Sequence, residues 1–268
     1  MMNMRSLCCA LGALSLLSMS GHAADLAPDD PHGLFGSLSG SYVLPSLNDD
    51  WQIFAGPYEQ RGLGDGFLLK GLAGYRWDAW DAALALQYGD FSKGKVSDSL
   101  NGAGDLQARM WAVDIQAGYN TKAGDSDLRL AMGLRYAAWN NDVHYHSEHI
   151  NHDFRGLGPM LRADLSKPLG DSSTLEAGLG ASLLFGEIKT NADPGWLCTQ
   201  CTNRNTTAFS LDGHVGVGFN LAATRAVLGW QAQWWDNVNV GITDATGFGK
   251  NEGTSGYFQT GPYLEMKF

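Results

Sequence analysis

Strict alternation of apolar and polar side chains along extended segments is the feature that most constrains this chain. The segment from Tyr257 to Phe268 places Phe258, Thr260, Pro262, Leu264, Met266 and Phe268 on one face and Gln259, Glu265 and Lys267 on the other. Such a strand belongs to a sheet whose two faces meet different surroundings. In lipid every backbone polar group needs an internal partner, so the sheet must close on itself. The pattern predicts the last strand of a transmembrane β-barrel, with Phe268 as the terminal aromatic residue that directs barrel insertion.

The same alternation recurs in ten segments, an even number, as single-chain bacterial outer-membrane barrels require. They lie near residues 33–45, 66–77, 80–90, 106–120, 127–140, 154–167, 174–188, 206–221, 226–236 and 256–268. A soluble β-sandwich would not need every strand to be about ten residues long. The predicted fold is therefore all-β: a closed antiparallel up-and-down transmembrane barrel of about ten strands.

The N-terminal residues are predicted to be an export signal. Arg5 supplies the positive start, the apolar stretch from Leu7 to Met19 is too short to span a bilayer, and residues 21–23 end it with small side chains. We expect residues 1–23 to be cleaved, residues 24–32 to form a periplasmic arm and residues 33–268 to form one barrel domain. The formal net charge of −10 argues against a nucleic-acid partner.

Parity divides the side chains between lipid and lumen. In each predicted strand, one set of alternate positions holds Leu, Val, Phe and Tyr and is predicted to face lipid. The other set holds the charged residues and many glycines and is predicted to face the lumen. The residues predicted to line the lumen are Lys70, Arg76, Asp114, Arg129, Arg135, Arg162, Asp164, Glu176, Asp212, His214, Glu265 and Lys267. These charges could form a selectivity lining or a closed network of ion pairs, and the glycines could leave open volume or make room for larger side chains.

Aromatic residues and connection lengths set the orientation. Trp77, Trp80, Phe219 and Phe268 are predicted at one rim, and Tyr42, Tyr88, Tyr136, Trp139, Phe154 and Phe209 at the other. Short links near residues 77–80, 120–126, 168–173 and 221–225 alternate with long ones, so the short turns face the periplasm and the long loops face outside. Arg109, Arg155, Lys167 and Glu187 break parity at strand ends, where long side chains reach headgroups or water.

Several strands also carry recognisable motifs. They are the segments 128–136 and 154–170, Ser182-Leu-Leu-Phe-Gly186 and the closing Gly261-Pro-Tyr-Leu-Glu-Met-Lys-Phe268. Over about the latter half of the chain they resemble the Legionella-type major outer membrane protein family of pore-forming barrels. The resemblance implies a bacterial outer-membrane location and a porin-like role, and it supplies no catalytic residues.

One predicted exterior loop is rich in histidine. His144, His146, His149 and His152 are low-ranking candidates for a metal site, because neutral imidazoles bind zinc, copper or nickel, but a solvated polar loop is the favoured interpretation. Cys198 and Cys201 are predicted to form a small loop-closing disulfide, since export crosses an oxidising compartment. No cofactor is expected.

An enzyme remains a minor alternative. Asp212 and His214 share the inward side of one strand, and the Asp-x-His spacing is similar to that of omptin proteases, which are also ten-stranded barrels. The pair lies mid-strand rather than at the outer rim, so a non-catalytic lumen pair is favoured. We expect porin-like passage of small polar solutes, with a plugged structural or adhesive barrel as the alternative. The expected partners are outer-membrane lipid, lipopolysaccharide and the barrel-assembly machinery.

Overall fold

Ten antiparallel strands form a closed barrel in which the first strand pairs with the last. The computed structural model describes residues 32–48, 64–98, 102–144, 149–193, 203–221, 224–240 and 254–268. The strands are β1 (His32–Asn48), β2 (Gly66–Trp77), β3 (Trp80–Asp98), β4 (Gly102–Ala123), β5 (Ser126–His144), β6 (His149–Pro168), β7 (Ser173–Asp193), β8 (Asn203–Leu221), β9 (Thr224–Val240) and β10 (Thr254–Lys267). Each strand pairs with its neighbours in sequence, and β1 also pairs with β10, which confirms the predicted fold class.

The closure extends to the final residue. Backbone hydrogen bonds join the Phe268 nitrogen to the Gly36 carbonyl oxygen at 3.0 Å and the Gly36 nitrogen to the Phe268 carbonyl oxygen at 2.8 Å. In the described residues, no helix has the length and apolar character needed to cross a bilayer.

The predicted parity holds along the strands. Leu34, Ile115, Met132, Leu161 and Leu228 are all more than half exposed, and each faces outward as predicted. Their neighbours of opposite parity, such as Asp114, Arg135 and Gln231, are buried inside the barrel. A surface of exposed Leu, Val and Ile is unfavourable in water and favourable in hydrocarbon, so the outer surface is built for lipid.

The two ends of the barrel differ. At the turn end, β2 and β3 are joined through Asp78 and Ala79, and β4 and β5 through Gly124 and Asp125. Asp78 and Gly124 have positive φ values of 54° and 68°, as tight hairpin turns require. At the loop end the strands run further than predicted, because β3, β5 and β7 continue to Asp98, His144 and Asp193. Much of the sequence predicted as loops at residues 91–105 and 141–153 is therefore strand.

The aromatic rims are partly as predicted. Trp77, Trp80, Phe219 and Phe268 are exposed near the turn end, and Tyr42 and Tyr88 are exposed near the loop end. The rim prediction is wrong for two residues. Trp139 and Phe154 are fully buried in the interior. Successive side chains of a strand point to opposite faces, so residues three apart lie on different faces. Trp139 is three residues from Tyr136 on β5, and Phe154 is three residues from Leu157 on β6. Because Tyr136 and Leu157 face lipid, Trp139 and Phe154 face the lumen.

Candidate functional site: the barrel interior

Charged side chains link opposite walls of the interior. Asp212 on β8 accepts hydrogen bonds from Arg135 on β5 and Arg162 on β6, both at 3.2 Å. Arg135 also donates two hydrogen bonds of 2.8 Å to Asp114 on β4. Because Asp212 and Arg135 come from non-adjacent strands, their contact crosses the lumen instead of following its wall.

The chain of ion pairs continues towards the turn end. Arg162 donates to both carboxylate oxygens of Asp164, at 3.0 and 2.8 Å, and Asp164 lies 3.6 Å from Arg129. Arg129 is held by two hydrogen bonds, of 2.9 and 2.7 Å, to Asp81. Asp81 is buried and was not among the predicted lumen residues, although its alternation with Ala83 and Gln87 would have identified it.

A second cluster lies nearer the turn end around Glu176. One carboxylate oxygen accepts hydrogen bonds from Arg225 and Thr174, each at 3.0 Å, and the other accepts one from Lys267 at 2.9 Å. Lys267 also lies 3.8 Å from Glu265. The arrangement joins β7, β9 and β10, so Lys267 ties the last strand to β7 inside the barrel.

The remaining predicted lumen residues lie beside these clusters. The His214 ring meets the Tyr263 ring edge to face, with centroids 5.7 Å apart. The Arg76 guanidinium lies over the Phe35 ring, 5.2 Å from its centroid. Lys70 projects inward from β2 at the position between buried Leu68 and half-buried Leu72.

An aromatic layer fills the interior near the loop end. The Trp139 ring is stacked between Phe91, at 5.7 Å, and Tyr257, at 4.7 Å, with interplanar angles of 8° and 10°. Trp235 meets the edge of Trp139 at 5.7 Å. These four side chains come from β3, β5, β9 and β10, and all are buried. Sequence reasoning missed this layer because three of its members were not assigned to either face.

Glutamines lie beside both the aromatic layer and the charges. Gln87 on β3 donates a 2.9 Å hydrogen bond to Gln233 on β9, and Gln259 on β10 also donates to Gln233. Gln87 and Gln259 each lie 3.6 Å from the Met110 sulfur. Gln233 lies directly opposite Asp212 in the β8–β9 register, so the glutamine and charge layers are in contact.

The lumen glycines make room for side chains and close strands. A Cβ atom at Gly180 would lie 2.9 Å from the Asp212 carboxylate, and one at Gly118 would lie 2.5 Å from that of Asp81. At Gly133 and Gly158 it would meet the carbonyl oxygens of Ile115 and Leu183 in the neighbouring strands. Of the two explanations weighed from the sequence, these contacts favour the one in which glycine accommodates its neighbours.

The Asp212 and His214 side chains have different partners. The Asp212 oxygens bind Arg135 and Arg162, whereas the His214 ring contacts the Tyr263 ring, and both His214 and the Asp164 carboxylate border Gly178. A general base is oriented by a hydrogen-bonded carboxylate, and no hydrogen bond joins Asp212 to His214 in the described part of the chain.

The histidine candidates diverge. His144 and His149 stack with centroids 4.2 Å apart on the outward face, and His149 lies 3.4 Å from Asp142. His152 is buried on the inward face, where its Nδ1 lies 3.0 Å from the Thr190 hydroxyl. His152 therefore lies on the opposite face from His144 and His149, and within the described ranges no three His, Cys, Asp or Glu side chains are grouped to hold a metal ion. His146, Cys198 and Cys201 lie outside the described residues.

An apolar outer surface, aromatic rims and a polar interior define an outer-membrane β-barrel. The family described as Legionella pneumophila major outer membrane protein precursor matches residues 65–268. The chain belongs to this family, which confirms the resemblance seen in its sequence and indicates the bacterial outer membrane as its location. Cleavage of residues 1–23 and the division into arm and barrel stay predictions.

One curated protein has a shorter similar segment. An uncharacterized protein from Pseudomonas putida, encoded in a trpE-trpG intergenic region, is 32% identical over 123 residues, which is 39% of this chain and 20% of that protein. The matched region thus spans about a fifth of the relative's length.

A solved structure has the same fold. The outer membrane protease OmpT from Escherichia coli has a TM-score of 0.54 and 11% identity, with 89% of this chain and 97% of that chain covered. The transport unit of the autotransporter AIDA-I from E. coli has a TM-score of 0.44 and 10% identity, with 95% and 94% covered.

Proposed function

We propose that this protein is a closed surface barrel: a structural or adhesive platform in the outer membrane whose interior is filled by side chains at rest. The observation that carries the proposal is the stack of Phe91, Trp139 and Tyr257 across the lumen. A ten-stranded barrel is narrow enough for side chains to fill, and a layer of packed aromatic rings opposes ion passage.

The extended strands supply the platform. On β4, residues 102–110 precede Trp111, a lipid-facing aromatic residue of the loop-end rim. Nine paired residues on a tilted strand project about 20 Å beyond the membrane. Inside this projection Leu106, Ala108 and Met110 are buried, which gives it an apolar core of its own. Because such a core holds the strands in place, the projection is a rigid support for the loops it carries.

Porin-like passage of small polar solutes is the second candidate. It is favoured by the charged interior between Asp81 and Asp212 and by the pore-forming character implied by the family resemblance. A porin function requires the ion pairs and the aromatic layer to separate, because both lie across the same path.

Planar-bilayer recording on refolded protein tests the two candidates. We expect electrical silence after insertion has been demonstrated by co-flotation with vesicles and by resistance to extraction at high pH. Reproducible stepwise currents would overturn the closed barrel and support the porin. Uptake of small sugars by proteoliposomes, compared with empty vesicles, gives an independent measure.

The proposal includes no catalytic role. Its basis is that the Asp212 carboxylate is hydrogen-bonded to two arginines and not to His214, which it would have to orient as a general base. Cleavage of a peptide library by the purified protein, lost in His214→Ala, would contradict this part of the proposal.

A further inference from the structure

The lumen is filled less completely along the wall formed by β10, β1 and β2. In the strand register Ser39 on β1 is directly opposite both Glu265 on β10 and Lys70 on β2, and all three side chains face inward. Each of them keeps accessible surface, which must therefore face space inside the barrel. One inward position nearer the loop end, Leu68 and Tyr263 are only 1% and 5% exposed. The space is therefore closed towards the loop end.

The accessible surface continues towards the turn end. Leu72 and Lys267, one inward position further on β2 and β10, are partly exposed, and Ser37 lies between them in the register. Beyond them Phe35 and Gly74 face each other and are also partly exposed. The wall thus borders a chamber that is closed towards the outside and opens at the periplasmic turns.

Two charged side chains of this chamber lack close partners. Lys70 makes no hydrogen bond or ion pair within the described residues, although Asp212 and Glu265 act on it through space. Asp212 is already hydrogen-bonded to two arginines. Glu265 lies 3.8 Å from Lys267, but the Lys267 ammonium group is hydrogen-bonded to Glu176 at 2.9 Å. Because a charge inside a barrel needs a partner or water, Lys70 and Glu265 are available to a ligand.

The small Ser39 side chain separates the two charges. With adjacent strands about 4.8 Å apart, the backbones of β2 and β10 lie roughly 10 Å from each other. Since Ser39 adds little bulk between them, the long side chains of Lys70 and Glu265 can approach one small molecule from two sides. The serine hydroxyl can also donate or accept a hydrogen bond there.

We propose that Lys70, Ser39 and Glu265 form a binding site for a small α-amino acid that enters from the periplasm. An anion alone would meet the Glu265 carboxylate, and a cation alone would meet the Lys70 ammonium group. An α-amino acid carries a carboxylate and an ammonium group on one carbon atom, so Lys70 donates to the first and Glu265 accepts from the second. The space above Ser39 suits a ligand with a short side chain.

The test measures binding of L-alanine to the exported full-length protein, purified in a nonionic detergent, by isothermal titration calorimetry. Propionate and ethylamine each carry one of the two charged groups of alanine and are the ligand controls. We expect saturable binding of alanine and about tenfold weaker binding of each control, because each control leaves one charged side chain without its partner.

Substitutions locate the site. Lys70→Met and Glu265→Gln keep the approximate size of the side chain and should each weaken alanine binding about tenfold. Ser39→Leu fills the space between the charges without changing them and should abolish binding. Lys122→Met is the matched control, because Lys122 is an exposed cation on β4, paired with Asp127 at the turn end, and its loss should leave binding unchanged. Heat-modifiable migration on electrophoresis verifies that every variant is folded.

Three results would overturn the proposal. Absence of saturable alanine binding to the wild type would show that the chamber does not hold this class of ligand. Propionate binding as tight as that of alanine would indicate an anion site without a role for Glu265. Equal affinities of Lys70→Met, Ser39→Leu and Lys122→Met would place alanine elsewhere on the protein.

Discussion

At the scale of single residues, Asp212 illustrates how the interior is held. Its carboxylate accepts hydrogen bonds from two arginines on β5 and β6 while it lies on β8. An arginine removed from water needs such a partner, because an uncompensated buried charge is costly. Asp212 therefore stabilises two cations at once, and its loss leaves Arg162 with Asp164 and Arg135 with Asp114 as their remaining carboxylates.

Replacement of Asp212 by Asn should destabilise the folded barrel. We expect a decrease of about 3 kcal/mol in the free energy of unfolding, because the isosteric amide keeps the volume and removes the charge that balances two arginines. Urea unfolding in detergent micelles, followed by tryptophan fluorescence, measures it. Asp171→Asn in an exposed turn is the control. Equal unfolding midpoints for the two variants would contradict the proposed role.

The residue scale also shows what sequence can and cannot reveal. Alternation correctly placed Arg135, Arg162 and Asp212 on the inward face, since parity depends only on local backbone geometry. It could not identify their partners, because these lie on other strands. The local spacing of Asp212 and His214 suggested a pair, whereas the observed partners of Asp212 are 77 and 50 residues away in sequence.

At the scale of elements, the membrane-spanning parts of the strands were predictable and their outer ends were not. Inside the bilayer one face meets hydrocarbon, so apolar and polar residues must alternate. Beyond the rim both Asn140 and Asp153 face water while Asn141 and His152 face the interior. With polar residues on both faces the alternation disappears, although backbone pairing continues. The loops were therefore predicted to be longer than they are.

The turn-end hairpins test the role of backbone conformation. Gly124, between β4 and β5, has φ of 68°, whereas Gly170, between β6 and β7, has no such constraint, and both face open space. Gly124→Val should lower the free energy of unfolding by about 1–2 kcal/mol, because a β-branched residue is strained in the left-handed region.

Gly170→Val is the matched control and should have little effect on stability. The two variants are compared by urea unfolding in the same micelles. Equal effects of both substitutions would show that added bulk at the turn end, rather than backbone strain, determines the loss.

At the scale of the whole molecule, two layers of side chains fill the lumen at different positions along the barrel axis. Trp139 and its stacked neighbours lie near the loop end, and the ion pairs from Asp114 to Asp81 lie nearer the turn end, with the glutamines between. The Arg135 guanidinium lies over the Trp235 ring at 5.8 Å, so the two closures touch. The barrel and its lipid-facing surface were predictable from alternation, but this filling depends on packing among six or more strands.

Two closures in series predict a particular pattern of conductance. Trp139→Ala with Trp235→Ala should remove the aromatic closure and leave the ion pairs, so the barrel should stay electrically silent. Arg135→Ala with Asp212→Ala should remove the bridge between β5 and β8, with one charge of each sign, and leave the aromatic layer, again without current. Only the combination of all four substitutions should give stepwise currents in planar bilayers, because ions then meet neither the aromatic layer nor the Arg135–Asp212 bridge. Trp111→Ala together with Trp230→Ala, which removes two lipid-facing tryptophans, is the control and should stay silent. Currents from either pair alone would show that the remaining layer does not close the barrel by itself. Silence of the fourfold variant, once its insertion is verified, would place the closure elsewhere in the chain.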